Sequence, residues 1–462
     1  MARSSPDGAI SITLLDLFSN SLVLHQTAPY LSVSSLFALG ATCRSFQNLV
    51  LQSPEPIRHL DLSPVKSAIT PDVKPLDSGG INWRAERMDE SLTEDDFYTG
   101  PLRGIFSNLG RRNLLVNVNT LVLDGLSVTA EIVREIICED RFNVRILSIR
   151  EAKNLNERKL MQVLKYAVRP SRPKNTPRLR GLYFFTPRDK DAQETDSAQR
   201  YTRSPVRNRS PVGITSSQGA QIGAEWNQRS IDTLTTVLAR TNDKWYKASG
   251  RILPRPPIPE WAETLQACEG IIHFDAVICR GPRHNADTAV HQSVVDPRRV
   301  HPLSYLPPAI ATVALGPSGC TTCHSCPEGA GVFGESPSHH LPLLAPPPLH
   351  STLIRVAQGP STIDGSAPPP LIVRCEGCLR GRWCERCNKW WDESCFYGSL
   401  NGTRTHMQQL EYISELMNSM GIHQHESDEH KLVEVKVHMG LCIENCLVGE
   451  MIAGAGSSGM WG

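Results

Sequence analysis

The chain has 462 residues, and its 48 basic and 47 acidic side chains give a formal net charge of +1. A length of this kind suggests several domains, since one domain takes roughly 100–200 residues. The balanced charge excludes a general attraction to nucleic acid or to an anionic membrane. The sequence shows neither a signal peptide nor an apolar run long enough to span a bilayer, which favours a cytoplasmic or nuclear protein with no membrane partner.

Residues 10–62 carry apolar side chains at helical spacing. A short apolar turn from Leu22 to Leu31 comes first, and a longer helix is predicted to open at Ser34 or Ser35. Its apolar positions recur every three or four residues: Leu36, Leu39, Cys43, Phe46 and Val50. Pro29 is expected to end or kink the first helix. The pattern predicts a compact helical pair, whose simplest interpretation is an N-terminal hairpin with one core face.

The order Tyr30-Leu31, Leu36, Cys43-Arg44-Ser45-Phe46 and Leu49 resembles an F-box, although the Leu-Pro pair that usually opens that motif is absent. F-boxes dock substrate receptors onto the Skp-type adaptor of cullin ubiquitin ligases. The resemblance implies that apolar side chains enter a groove of the adaptor. The implied contact residues are Leu31, Leu36 and Leu39.

Residues 63–112 hold several prolines and an acidic patch and are predicted to be a linker. From 113 to 186 the pattern alternates between strands, expected over 118–123, 144–149 and 179–185, and helices. The apolar faces predicted for two of these helices are Ile132, Val133, Ile136 and Ile137, and Leu160, Val163, Leu164 and Val168. Leu121, Leu147 and Leu182 occupy corresponding positions, 26 and 35 residues apart, and the first interval is typical of leucine-rich repeats. A resemblance to leucine-rich repeats implies a sheet whose concave face binds a partner protein. An ordinary α/β domain of βαβ units is the alternative.

Residues 187–229 are rich in Arg, Ser, Gln, Pro and Gly, which predicts a disordered linker. It carries a basic strip consisting of Arg200, Arg203, Arg207 and Arg209. Helices and a strand over 271–278 are expected next, so residues 230–317 are predicted to continue the α/β array and to end in a loop. Four isolated cysteines lie among apolar residues and are predicted to be small core residues: Cys43, Cys138, Cys268 and Cys279.

Ten of the fourteen cysteines fall between residues 320 and 446, and a two-residue gap between cysteines recurs four times. Two such pairs can place four thiolates around Zn²⁺ at about 2.3 Å. In an intracellular chain this density favours metal over disulfides. Residues 318–450 are therefore predicted to be a zinc module, followed by a flexible tail over 451–462. The expected ligands are Cys320, Cys323, Cys326, Cys375, Cys378, Cys384, Cys387, Cys395, Cys442 and Cys446.

Two zinc ions are expected. One site would join Cys320 and Cys323 to Cys375 and Cys378, because each doubling of the loop costs about 0.6 kcal/mol whereas zinc binding is worth about 10–16 kcal/mol. The other site would hold the next cysteine pair with two further thiolates. That pair is Cys384 and Cys387, and its partners are left open among Cys395, Cys442 and Cys446. The candidates to replace one thiolate are His324, His406 and His438.

The run Cys375-Glu-Gly-Cys378, Cys384-Glu-Arg-Cys387, Trp390-Trp391 and Cys395 resembles fingers of the RING and in-between-RING group. Some of these recruit the ubiquitin-loading enzyme, which implies a surface near Trp383 and the tryptophan pair. The Cys-x-His element of RING fingers is missing. An F-box followed by a cysteine-rich segment also resembles the architecture of certain fungal F-box proteins.

The sequence as a whole predicts an α+β multidomain protein with an F-box-like helical motif, an array like leucine-rich repeats and a zinc-bound module. Conventional enzyme signatures are absent, which favours a non-catalytic substrate-recognition subunit of a cullin-type ligase. Its expected partners are a Skp-type adaptor and a protein substrate. The alternatives are a zinc-finger ligase with its own activity and a zinc-stabilised nucleic-acid binder that uses the basic strip.

Overall fold

The computed structural model describes residues 13–69, 94–188, 250–253, 255–284, 305–315, 319–324, 329, 331–359, 371–393, 395 and 436–448. The fold is mixed α/β and divides into two compact units. The first unit comprises Met1–Trp245, Ala267–Asp275 and Pro342–Ser366. The second unit comprises Tyr246–Gln266, Ala276–Leu341 and Ala367–Gly462.

The helices are α1 (Leu14–Ser19), α2 (Ser21–Thr27), α3 (Val33–Thr42), α4 (Arg44–Gln52), α5 (Glu94–Arg111), α6 (Ala130–Cys138), α7 (Glu157–Ala167), α8 (Glu260–Cys268), α9 (Ile354–Gln358) and α10 (Glu376–Leu379). The strands are β1 (His59–Asp61), β2 (Thr120–Val122), β3 (Ile146–Ser148), β4 (Gly181–Tyr183), β5 (Gly250–Arg251), β6 (His273–Phe274), β7 (Val313–Leu315), β8 (Ile372–Arg374), β9 (Val437–His438) and β10 (Leu441–Cys442).

The N-terminal segment is helical, as the spacing predicts, and side-chain caps set its boundaries. Thr13 and Asp16 form a capping box at α1, and Asn20 caps α2. Ser32 caps α3, so the helix opens two or three residues before the predicted start at Ser34 or Ser35. The predicted continuous helix also breaks at Cys43, whose backbone is extended, and α4 begins at the next residue.

Burial divides the apolar residues of this segment into two sets. The buried set packs the helices together and consists of Leu24, Ala28, Leu36 and Val50. The exposed set lies mainly on α1 and α2, where Leu22 is 75% exposed, and consists of Leu14, Leu17, Leu22 and Tyr30. Leu36 is only 5% exposed, so its predicted role as a contact for a partner does not fit its position in the core. Leu31 and Leu39 are half-buried.

The first unit contains a five-stranded parallel sheet whose strands lie in the order in which they occur along the chain, β1-β2-β3-β4-β6. Leu60, Leu121, Leu147 and Leu182 are paired in register across β1 to β4, and the predicted equivalence of the last three is confirmed. The strand predicted beyond the linker is present as β6, which pairs with β4. Because all neighbouring strands are parallel, each connection must run back from the end of one strand to the start of the next.

Helices α6 and α7 connect successive strands of this sheet. The predicted apolar face of α6 is buried: Ile132, Val133, Ile136 and Ile137. In α7 the buried residues are Leu160, Met161, Leu164 and Ala167. The prediction of a linker over 63–112 is wrong for residues 94–111, which form the 18-residue helix α5. Two of its side chains, Leu102 and Phe106, are 1% exposed because they pack into the core.

Two buried carboxylates tie together the turns that follow neighbouring strands. After β2, Asp124 accepts hydrogen bonds from Ser148 Oγ at 2.6 Å and from the Arg150 backbone amide at 2.9 Å. After β6, Asp275 accepts bonds from the backbone amides of Phe184, Phe185 and Thr186, which follow β4. The turns at the carboxyl ends of these strands are therefore held by the side chains of Asp124 and Asp275 as well as by the backbone hydrogen bonds between the strands.

The second unit is built on a three-stranded antiparallel sheet, β5-β7-β8. Residues 250–251 and 313–315 therefore belong to this unit, and the prediction that all of 230–317 continues the parallel array is wrong for them. The core of the second unit combines aliphatic side chains with cysteines and three tryptophans: Val313, Leu315, Cys320, Ile372, Leu379, Trp383, Cys384, Trp390, Trp391, Val437 and Cys442.

Several predicted features lie outside the described residues: the basic strip from Arg200 to Arg209, Cys326 and His406. Among the described helices, none combines the length and the apolar character needed to cross a membrane. Of the isolated cysteines, Cys268 is buried as predicted, whereas Cys43 and Cys138 are exposed and are not core residues.

Candidate metal centres

Side chains suited to bind a metal ion gather into three groups of four among the described residues of the second unit. Within each group, one ligand atom from every residue lies within 4.8 Å of the others. The first group is Cys279, His284, Cys375 and Cys378. The second group is Cys384, Cys387, Cys442 and Cys446. The third group is Cys320, Cys323, Asp392 and Cys395.

One stretch of chain, residues 375–395, contributes two members to every group, and we call it the central ligand segment. The complementary pairs come from 279–284 for the first group, 442–446 for the second and 320–323 for the third. Along the chain the pairs therefore occur in the order first, third, first, second, third, second. The third group is interleaved with both of the others, so every stretch of chain that holds all four members of one group also contains a pair from another group.

The first group combines three thiols with one imidazole. The Cys375 amide donates to Cys279 Sγ at 3.1 Å, and the Cys378 amide donates to Cys375 Sγ at 3.3 Å. His284 places Nε2 at 3.2 Å from Cys375 Sγ, while its Nδ1 lies 3.1 Å from the carbonyl oxygen of Leu306. With Nδ1 protonated and donating to this carbonyl, Nε2 is left as the ligand atom, an arrangement typical of metal-bound histidine.

Gly281 lies between the two N-terminal members of the first group and leaves room for the thiol of Cys378. A Cβ atom at this position would lie 2.6 Å from Cys378 Sγ and 3.1 Å from Arg374 Cδ. The backbone of Gly281 does not have a positive φ, so the requirement for glycine here is one of space alone.

Proton equilibria in the first group couple the imidazole to the thiols. Hydrogen bonds from Cys375 and Cys378 lower the pKa of Cys279, and burial adds an opposing effect. Burial alone would lower the pKa of His284, but its contacts with Cys279 and Cys375 raise that pKa to about 10. Without metal, the group therefore holds a thiolate next to an imidazolium, and a metal ion has to displace protons to bind.

The second group consists of four thiols, and its geometry matches a tetrahedral site. Cys387 Sγ lies 3.7 Å from Cys442 Sγ. Thiolates at 2.3 Å from a central zinc ion are about 3.8 Å apart, whereas disulfide sulfurs are about 2.05 Å apart. The Cys442 amide donates to Cys384 Sγ at 3.2 Å, as expected for a sulfur that carries negative charge.

Burial raises the pKa of Cys384, but amide donors of Cys387, Cys442 and Arg386 outweigh that effect and bring the pKa down to about 7. The amides of Arg386 and Cys387 belong to a tight turn, whereas the Cys442 amide comes from β10. The Asn388 amide donates to the carbonyl oxygen of Cys384 at 2.9 Å, and Asn388 has a φ of 57°. The turn points successive amides at the first sulfur of the pair, so the backbone itself favours the thiolate.

The third group has a turn of the same form. The His324 amide donates to the carbonyl oxygen of Cys320 at 2.9 Å, and His324 has a φ of 54°. Cys323 Sγ lies 2.9 Å from Asp392 Oδ2, and the Cys395 amide donates to Asp392 Oδ1 at 2.8 Å. His324 therefore serves the turn through its backbone, and its ring is not a member of the group.

The geometry corrects the predicted sharing of ligands. Cys320 and Cys323 do not meet Cys375 and Cys378, because the latter pair faces Cys279 and His284. The sequence left open which two thiols share a site with Cys384 and Cys387. In the structure they are Cys442 and Cys446, while Cys395 belongs to the third group. The expectation of two sites becomes three groups. Cys279, predicted to be a core residue, is a member of the first.

A buried arginine links the parts of the central ligand segment. The side chain of Arg382 is fully buried, and it donates to the carbonyl oxygens of Cys378 at 2.6 Å and Trp391 at 3.0 Å. Its Nε lies 3.2 Å from Glu393 Oε2, which offsets the buried charge. Residues beside the first and third groups are thereby held by the same guanidinium.

Sequence reasoning missed three members of these groups: Cys279, His284 and Asp392. Cys279 and His284 stand nearly forty residues before the dense cysteine region, so only their Cys-x₄-His spacing was available as a signal. The spacing of Asp392 and Cys395 repeats the two-residue gap with a carboxylate in place of one thiol. No family model matches the chain, and no curated protein is significantly similar to it.

Proposed function

We propose that this chain is a substrate-recognition subunit of a cullin-type ubiquitin ligase. In this proposal α1 to α4 bind a Skp-type adaptor, and the parallel array and the second unit present a surface for a protein substrate. The observation that carries the proposal is the exposed apolar set on α1 and α2. Leu14, Leu17, Leu22 and Tyr30 are between 46% and 75% exposed, although the same segment buries other apolar side chains well.

The order of the parallel sheet supports a receptor built like leucine-rich repeats. Short strands follow one another without reversal of order, and buried leucines stand in register from β1 to β4. In a doubly wound sheet the order of strands reverses at a switch point, and that reversal does not occur among the described strands. A continuous array of this kind offers an extended face to a protein partner.

The first and second groups supply the zinc sites of the proposal. Their ligands are thiols and one imidazole, which are the donors that structural zinc prefers, and four protein ligands leave no position open for a substrate. Zinc there would fix the fold of the second unit and would take no part in a reaction. In this proposal zinc stabilises the second unit, and the second unit in turn contributes a surface that binds the substrate.

Capture of a purified Skp-type adaptor by the full chain tests the docking part of the proposal. A double variant with Leu17→Asp and Leu22→Asp should abolish capture, because two charges would have to enter the apolar groove of the adaptor. The matched control is Leu353→Asp, since Leu353 is 67% exposed in the same unit but lies outside α1 to α4. Unchanged capture by the double variant, or equal loss in the control, would contradict the proposal. Leu36→Asp is unsuitable because it would also damage the core.

A zinc-finger ligase with its own activity remains the second candidate, and the interleaved order of the ligand pairs favours it, since RING fingers also interleave theirs. The sequence suggested that the loading enzyme binds a surface near Trp383 and the tryptophan pair, but these side chains are not exposed. Trp383, Trp390 and Trp391 are at most 5% exposed and belong to the core. Self-ubiquitination by the full chain with activating and loading enzymes, but without adaptor or cullin, would favour this candidate over the first.

A further inference from the structure

We infer that Cys320, Cys323, Asp392 and Cys395 form a third metal site, with Asp392 as a carboxylate ligand, and that this site exchanges its ion faster than the other two groups. The inference deepens the proposed zinc binding of the second unit and rests on it. It assigns a role to Asp392, a residue that the cysteine pattern does not select. It also predicts that the three sites release their ions at different rates, although each takes two ligands from the central ligand segment.

The position of the carboxylate supports its role as a ligand. Asp392 is wholly buried, as is Cys320, and the Asp392 amide donates to Cys320 Sγ at 3.3 Å. One carboxylate oxygen lies 2.9 Å from Cys323 Sγ, whereas the other accepts the Cys395 amide. Buried carboxylates in proteins are hydrogen-bonded, paired or bound to a metal ion, and the position of Asp392 within reach of three thiols fits the last of these.

The backbone around Cys320 repeats the turn found in the all-thiol group. In both turns the amide four residues on donates at 2.9 Å to the carbonyl oxygen of the first cysteine. The residue that donates has a φ of 54° in one turn and 57° in the other. The Thr322 amide also donates to Cys320 Sγ at 3.4 Å. The same local geometry thus prepares a thiolate pair in the second and third groups.

The two halves of the third group are brought together by hydrogen bonds beyond its own ligands. Thr321 donates to the carbonyl oxygen of Trp390 through its amide at 2.8 Å and through Oγ1 at 3.0 Å. Residues 320–323 are therefore held against the end of the central ligand segment. A metal ion here would fasten the loop that carries the buried Trp390 and Trp391.

Faster exchange follows from the donor set and from exposure. Zinc and related metals favour thiolate over carboxylate when both are offered in a soft site, so the bond to Asp392 is the weakest in its group. Cys323 is exposed and gives a chelator access to the ion from one side. Cys387 of the second group is exposed as well, so exposure distinguishes the third group only from the first, whereas the carboxylate distinguishes it from both. In the first group all three thiols, those of Cys279, Cys375 and Cys378, are buried, and the fourth ligand is an oriented imidazole. A chelator therefore has less access to an ion bound there.

The test is the zinc content and the zinc release of the full, reduced chain. Metal content is measured by elemental analysis, and release is followed with a chromogenic chelator. Wild type should hold three ions and release one of them in a separate fast phase. Asp392→Asn, which keeps the shape but loses the charge, should hold two ions and lack the fast phase. Asp392→Cys should hold three ions and release all of them slowly.

Cys326→Ser is the matched control, because Cys326 is the remaining cysteine of this region and a rival for the fourth ligand. It should keep three ions. Loss of an ion in Cys326→Ser with retention in Asp392→Asn would overturn the assignment of Asp392. Two ions in wild type would overturn the third site while leaving the first two groups intact. A fast phase that persists in Asp392→Cys would overturn the assignment of fast exchange to the carboxylate. A metal-free wild type would instead overturn the proposed zinc binding as a whole.

Discussion

Gly281 is the residue whose replacement most directly tests the geometry of the first group. In Gly281→Ala the new methyl group would lie 2.6 Å from Cys378 Sγ, so the thiol must move away from Cys279 and His284. We expect the variant to lose one zinc ion while the other groups keep theirs. Elemental analysis measures the loss. The control is Gly104→Ala, since Gly104 has no atom within 4 Å of the added carbon and should keep every ion. Full zinc content in Gly281→Ala would contradict the geometry.

His59, in β1, should make the first unit sensitive to acid. Burial and the nearby His350 lower its pKa from 6.5 to about 4. Below pH 6.5 the unfolded chain binds a proton that the folded chain does not, so stability is complete above that pH and falls as the pH drops towards 4. The expected loss is about 2 kcal/mol between pH 7.5 and 4.5.

His59→Gln removes this titration and should flatten the pH dependence. Denaturant unfolding followed by hydrogen exchange of peptides from the first unit measures the difference between wild type and variant. The neighbouring groups His25, Glu55, Arg58 and His350 are present in both chains, so their contributions cancel in the comparison. Parallel pH profiles for the two chains would show that the protonation of His59 does not contribute to stability.

At the scale of the element, the exits of the parallel strands depend on buried carboxylates. In Asp275→Ala the amides of Phe184, Phe185 and Thr186 lose their acceptor in a turn where Thr186 is buried and the two phenylalanines are half-buried. We expect a cost of about 3 kcal/mol, because three donors shielded wholly or partly from water are left without a partner. Hydrogen exchange of a peptide over 181–186 should become fast, since these amides themselves make the bonds.

The matched control for this change is Asp140→Ala. The Asp140 side chain is fully exposed and pairs with Arg178 at 3.2 Å in the same unit. Exposed ion pairs contribute little, so protection over 181–186 should stay as in wild type. Equal protection in the Asp275 variant would mean that the strand ladder alone holds the turn.

At the scale of the whole molecule, removal of metal should separate the behaviour of the two units. All three groups lie in the second unit, and their pairs are interleaved, so the loss of zinc removes cross-links between distant segments. With a strong chelator and a reductant, hydrogen exchange over 371–393 should become fast. Exchange over 120–148, in the parallel sheet, should not change. Persistent protection over 371–393 in the metal-free chain would show that packing of the tryptophans suffices to hold the second unit.

Local patterns carried much of the information about the elements. The spacing of apolar residues predicted the N-terminal helices, the faces of α6 and α7 and the strands β2, β3 and β4, because these depend on contacts between near neighbours in sequence. The equivalence of Leu121, Leu147 and Leu182 was also visible as a repeat. The linker over 63–112 hid α5, because Pro101 and two neighbouring glycines disguised a helix that packing stabilises.

The sequence by itself determined that thiols dense enough to bind zinc stand in the last third of the chain, and that a run of helices precedes alternating strands and helices. Only the tertiary structure decided which thiols share a site. Ligands of one ion can come from segments far apart, since closing a longer loop costs little compared with binding the metal. For this reason no spacing in the sequence could assign Cys279 and His284 to Cys375, or place Asp392 beside Cys320.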